Sequence, residues 1–342
     1  MRPPIGSFLL ALLPALAAAR PASPAAAGES AGAGGVLALA VFGTSPTVYA
    51  GTAAGGLYRS VDGGEHWSLV EGNLAGLSIA ALAIDPADAA TMYAGTNGAG
   101  VFRSSDGGRE WAESNSGLAN LFVEALAVAG GSPKAVYAAT DGGVFRSLDG
   151  GKSWKEFREG LADPFVTALA VAPGAETAYA GTRSSGIFKL EKGASRWAGA
   201  SGGLGRATVR GFAVHPSEPS ALYAATEAGL FKSTTAGDTW SPANAGLTST
   251  SILALAIDPA SPSRLYAATV TGLFRSANGG VNWALVETGS GASFFNAVAV
   301  ERGVGGTVFV GGDGAVLKSA DGGKTWKAVK LPPPPPPSED EE

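Results

Sequence analysis

Ser60-Val61-Asp62-Gly63-Gly64-Glu65-His66-Trp67 decides the reading of this chain, because the octet comes back. The second copy is Ser104-Ser105-Asp106-Gly107-Gly108-Arg109-Glu110-Trp111, and residues 147–154 and 319–326 keep the same Ser-x-Asp-Gly-Gly-x-x-Trp pattern. Three more copies end at Trp197, Trp240 and Trp283, with Lys192, Thr235 and Asn278 where the pattern has Asp. The seven tryptophans of the chain are 44 residues apart once and 43 apart five times. A length of 342 residues would by itself suggest two domains, but so regular a period marks a single repeat architecture.

Around each octet the period contains four short β-type segments. In the second copy, residues 80–85 form an apolar run of the kind buried on both faces of a sheet, and 91–96, 100–104 and 110–113 follow it. Gly, Asn and Asp-Pro turns separate them. Four antiparallel strands every ~40–45 residues describe a propeller blade, whose sheet covers its faces only by stacking on neighbouring blades. The expected fold is all-β: a single seven-bladed β-propeller with four antiparallel strands per blade. Its blades are expected at 36–76, 77–120, 121–163, 164–206, 207–249, 250–292 and 293–331. Blade one should close the ring by packing on blade seven, with no blade shared between the chain ends.

The octets resemble the Asp-box, or BNR, repeat of sialidase-like propellers. The repeat as a whole, over 36–331, is similar to the wider superfamily of sortilin-type receptor propellers, xyloglucan-cleaving glycoside hydrolases and photosystem II assembly factors. The resemblance implies that each octet caps the turn between the third and fourth strands, on the face away from the usual active site. The physics of the residues agrees. Asp at this position accepts backbone N–H groups across a tight turn, and the glycines permit positive φ. The Trp ring buries between sheets, and losing one should cost ~3–5 kcal/mol. The structural set is therefore Asp62 with Trp67, Asp106 with Trp111, Asp149 with Trp154, Asn278 with Trp283, and Asp321 with Trp326. Repetition round a ring is what a turn device predicts; a single active site does not repeat. Asn278 and Thr235 can still accept hydrogen bonds but Lys192 cannot, so the fourth turn should be the loosest. Tyr49, Tyr93, Tyr137, Tyr179, Tyr223 and Tyr266, with Phe309 in the last copy, recur in the second strand as framework, as does a basic residue in the third.

Outside the repeat, Arg2 and the apolar run 8–16 read as a signal peptide over 1–27, with cleavage after 19 or 27. A flexible lead over 28–35 follows it, and 332–342 form a Pro-rich acidic tail ending Ser338-Glu339-Asp340-Glu341-Glu342. The expected location is secreted or periplasmic. There is no cysteine, so thiol chemistry, disulfides and Cys-ligated metal are excluded. The net charge is −5 and no Lys/Arg run occurs, which excludes nucleic acid as a partner. Neither a membrane span, a cofactor motif nor a metal-ligand cluster is seen, and a monomer is expected.

Function must come from residues that break the repeat on one face. A variable position just before each inner strand reads Leu37, Ala80, Glu124, Thr167, Arg210, Leu253 and Asn296. Phe122, Phe165 and Phe294 stand two positions earlier, and the loops between strands two and three add Asn97, Asp141, Arg183, Glu227 and Asp313. From these, Phe122, Glu124, Phe165, Thr167, Arg183, Arg210, Phe294 and Asn296 are the ligand-face candidates. Phe and mixed polar groups at one channel mouth suit a protein or glycan ligand, and the expected role is a non-catalytic binding or assembly scaffold. The alternative is a xyloglucanase-like glycoside hydrolase with a carboxylate pair drawn from Glu124, Asp141, Asp163 and Asp313. Sialidase chemistry is disfavoured, since six of the seven Tyr belong to one framework position.

Overall fold

The computed structural model describes residues 34–41, 46–130, 135–292, 294–302 and 306–334. The signal-peptide reading, most of the lead and residues 335–342 of the tail lie outside them. Seven four-stranded antiparallel sheets follow one another along the chain, each built from consecutive strands. In blade one these are β1 (Val36–Val41), β2 (Val48–Thr52), β3 (Leu57–Ser60) and β4 (Ser68–Leu69), hydrogen-bonded in that order. The inner strand of each blade packs on that of the next, and β1 packs on Ala297–Val300 of blade seven. The ring therefore closes as expected, and among the described residues no sheet combines strands from the two chain ends.

Strand composition explains the layering. The second strand of blade one, Val48–Thr52, is buried along its whole length, while the outer strands of the first five blades are exposed two-residue stubs or nearly so. Sheets approach closely where the second strand carries Gly. A Cβ on Gly51 would sit 2.9 Å from Ile79 Cβ of the next blade, and one on Gly181 would sit 2.6 Å from Val209 Cβ. The same approach closes the ring, where Gly311 faces Val36. The core is a series of inter-blade clusters; the one at the closure holds Val36, Val48, Ala50, Tyr58, Trp67, Phe309, Val316 and Leu331.

The octets fold as the turn chemistry predicts. Asp62 Oδ1 accepts the N–H groups of Glu65 and His66 and the Ser60 hydroxyl, at 3.1, 3.0 and 2.8 Å. These bonds, the His66 N–H first, hold the Asp62 carboxyl well below the usual carboxylate range. Asp106, Asp149 and Asp321 repeat the arrangement. Asn278 accepts from Asn282 N, and Thr235 from Thr239 N, both at 2.9 Å. The fourth turn has no side-chain cap of this kind, and Ala194 N bonds Glu191 O instead. Lys192 swings away to pair with Glu176 at 3.1 Å. Trp197 of that turn is nevertheless only 1% exposed. One departure escapes a reading of the pattern's Asp alone: Ala236 of the fifth octet occupies the left-handed region at φ 50°, where the first copy has Gly63 at 73°.

The framework tyrosines stitch blade to blade. Tyr49, Tyr93, Tyr223 and Tyr266 each donate to the carbonyl of the first octet glycine in the following blade, at 2.5–3.0 Å. Tyr179 makes the same bond to Ala236 O at 3.1 Å.

Candidate functional site

Because the four strands run up and down, the octets share a face with the turns joining strands one and two. Gly63 N bonds Pro46 O, Gly107 N bonds Ala90 O and Gly279 N bonds Ser263 O there. The loops entering the inner strands meet the strand-two to strand-three loops on the opposite face. Gly98 N bonds Leu121 O and Arg183 N bonds Phe165 O, and an antiparallel bridge joins Asn97 to Phe122. All eight ligand-face residues belong to this second face.

The variable positions are not placed where the sequence suggested. Leu37, Ala80, Glu124, Thr167, Arg210 and Leu253 lie inside the inner strands as their second residues, and only Asn296 precedes its strand. In each of those six strands the ladder skips this residue: Val36 pairs with Thr52 and Ala38 with Gly51, and Val166 pairs with Thr182 and Ala168 with Gly181. The same skip recurs at Ala80, Glu124, Arg210 and Leu253. The residue is the extra one of a β-bulge, released from pairing. Period-two alternation cannot reveal such a bulge, so the sequence does not show that these residues leave the ladder.

Around the ring the candidates fall into two groups. On blades three to five, Phe122 is 49% and Phe165 42% exposed, and Leu121, absent from the sequence-based set, is 37% exposed beside Phe122. Asn120 Oδ1 and Asp163 Oδ1 each accept the N–H two residues on, at 2.9 Å, and so hold the two phenylalanines in matching turns. The Arg183 guanidinium lies 5.1 Å from the Phe165 ring centre. The Thr167 hydroxyl donates to Val209 O at 2.5 Å, tying blade four to blade five. Arg210 pairs with Glu227 of its own blade. Glu124 and Asp141 flank Thr140 on blade three, Glu124 in the bulge and Asp141 directly after the strand. The second group is on blade seven. Phe294 is half-buried, while Phe295 is the fully buried ring. Asn296 and Asp313 come together beside Gly35 at the closure. Phe294, Asn296 and Asp313 are thus three blades from Phe122.

Asp163 has a structural job. It is 4% exposed, and besides Phe165 N it accepts Ser184 N and Ser184 Oγ at 2.8 and 2.7 Å. Two recesses lie off this face. One of about 380 Å³ is lined by Leu39, Val41, Ile84, Pro86, Pro259 and Val300 at the octet end of the channel. Another of about 350 Å³ runs between the second and third octets, with Arg103, Asp106 and Lys152 in its walls. Among the described residues no group of three or more His, Cys, Asp or Glu side chains is arranged to hold a metal, and no helix is long and apolar enough to cross a membrane.

The GH74 enzyme of Niastella koreensis superposes with a TM-score of 0.72 at 21% identity, over 87% of this chain and 54% of its own. The GH74 xyloglucanase from Xanthomonas campestris gives 0.68 at 21%, over 87% and 55%. YCF48 bound to D1 peptide gives 0.62 at 16% identity, over 82% and 90%. The likeness is one of fold. The chain spans about half the length of the GH74 structures and most of the length of YCF48. No family model matches the chain, and no curated protein does.

Proposed function

We propose that this chain is an exported, non-catalytic propeller that binds a protein partner by laying an extended peptide across blades three to five. The observation that carries this reading is the exposed row of Leu121, Phe122 and Phe165 with Arg183 beside it. Large apolar side chains held by built turns on an open face, rimmed by polar groups, mark an interaction surface. YCF48, a ring of the same architecture, has been solved with a peptide bound. The leader-like residues 1–27 support export. The test is capture from the extracytoplasmic fraction with the wild-type chain and a Phe122→Ala/Phe165→Ala double variant. A partner held by the wild type and lost from the double variant is expected; equal retention by both would remove this surface from the reading.

A second reading, a glycoside hydrolase, would draw its carboxylate pair from Glu124 and Asp141, which share blade three. Release of oligosaccharides from xyloglucan, abolished by Glu124→Gln, would favour it over the binding role.

A further inference from the structure

The last described strand, Lys327–Lys330, ends before the Pro-rich acidic segment, and Leu121, Phe122 and Phe165 are exposed among the described residues. Pro332 follows Leu331, which is buried at the closure between blades seven and one. From there six prolines lead to Ser338 and four carboxylates at Glu339, Asp340, Glu341 and Glu342. On the other side of the ring, Leu121, Phe122 and Phe165 stand exposed next to Arg183, and Arg206 is exposed in the loop entering blade five. Neither arginine makes an ion pair among the described residues, whereas Arg210 close by is already paired with Glu227.

We propose that this aromatic and arginine surface receives the segment Pro332–Glu342 of a second copy of the chain. Polyproline II carries no internal hydrogen bonds and is pre-ordered, so its prolines dock on exposed aromatic rings at little entropic cost. The order of chemistry along the segment, prolines and then carboxylates, matches a surface where Phe165 adjoins the Arg183 guanidinium and Arg206 is exposed in the next entry loop. A second copy is the occupant because of where the segment departs. Blade seven is three blades from blade four in one direction and three from blade three in the other. The chain's own eleven residues, reaching roughly 35 Å when extended, would have to pass three blades to arrive there. Two copies exchanging segments form a closed twofold pair, each donating and accepting once. This inference rests on the proposed peptide-binding role of the same face.

The test uses the full chain and a fluorescein-labelled peptide of residues 332–342. Anisotropy should show saturable binding, weakened about tenfold or more by Phe122→Ala/Phe165→Ala and by Arg183→Glu/Arg206→Glu. Sedimentation of the full chain should show a concentration-dependent dimer, lost when Glu339, Asp340, Glu341 and Glu342 are changed to their amides. Unchanged thermal melts keep the surface variants interpretable. No saturable binding up to about 1 mM, or binding indifferent to both double variants, overturns the proposal. So does a chain that stays monomeric while the peptide binds, since the segment then folds onto its own ring. A panel of unrelated apolar peptides separates the two readings. Patch-dependent capture of those with the 332–342 peptide silent overturns this inference alone. Capture of none overturns both.

Discussion

Blade seven is held differently on its two sides. Towards blade six, the Tyr266 hydroxyl donates to Gly322 O at 2.9 Å in a buried seam. Towards blade one, Phe309 takes the tyrosine's place and its ring presses on Gly64, where a Cβ would lie 2.7 Å from Phe309 Cε1. No phenol bond is available there, and Trp67 Nε1 has no hydrogen-bond partner among the described residues. Charge takes over instead: Glu65 of the first octet receives Lys318 at 2.7 Å and Lys327 at 2.6 Å. The seam to blade six uses a neutral buried bond, while the closure, besides the backbone bond from Val36 N to Gly312 O, adds ion pairs, as the seam of blades four and five does through Lys189 and Asp238. Pairs of this kind contribute little and are screened by salt, so the closure is one place where ionic conditions reach the fold.

The contrast can be broken most forcefully at Phe309. Phe309→Ala removes a ring that is almost wholly buried at the closure and should destabilise the protein by ~3–5 kcal/mol in denaturant unfolding. Proteolysis should then start at the chain ends; cleavage starting elsewhere would show that the closure is not the weak seam. Tyr266→Phe on the other side should cost about 1 kcal/mol, since it removes one buried bond and leaves Gly322 O unpaired. A cost as large as that of Phe309→Ala would mean that the phenol, rather than ring packing, holds the blades.

Glu65→Gln should have the smallest effect, and one that depends on conditions. Lys318, followed by Lys327, holds the Glu65 carboxyl down at about 2. A carboxylate depressed in the folded state stabilises fully above its unfolded value of 4.5 and loses that contribution as pH falls towards 2. Melting temperatures of wild type and Glu65→Gln should therefore differ near neutral pH, converge on acidification and converge in high salt. Parallel curves throughout would deny the clamp any role. The octet aspartates, also held low, act equally in both proteins and cancel from the difference.

The ring was legible in the sequence because its determinants are local and repeated: an octet, a run of small buried residues and a turn, seven times over. The partners of those residues were not legible. Tyr266 and Gly322 are 56 residues apart, and no spacing within one repeat links them. Phe309 stands at the framework position in the sequence, but nothing within its own repeat shows that its neighbour is the first blade. At the candidate site, Phe122 and Phe165 could be picked out because they break the repeat. Leu121 could not, as its exposure comes from the turn made by Asn120. Asp163 looked like a free carboxylate because Ser184, its main partner, is 21 residues downstream.

The bulges give the fold something like a seven-character address. Leu37, Ala80, Glu124, Thr167, Arg210 and Leu253 are skipped by the ladder, and Asn296 completes the circle in front of the last strand. Their side chains can be exchanged without rewriting strand pairing, so selection can edit one channel mouth character by character while the blades beneath stay fixed. Chains that share this architecture at 16–21% identity would then differ in the word they spell there.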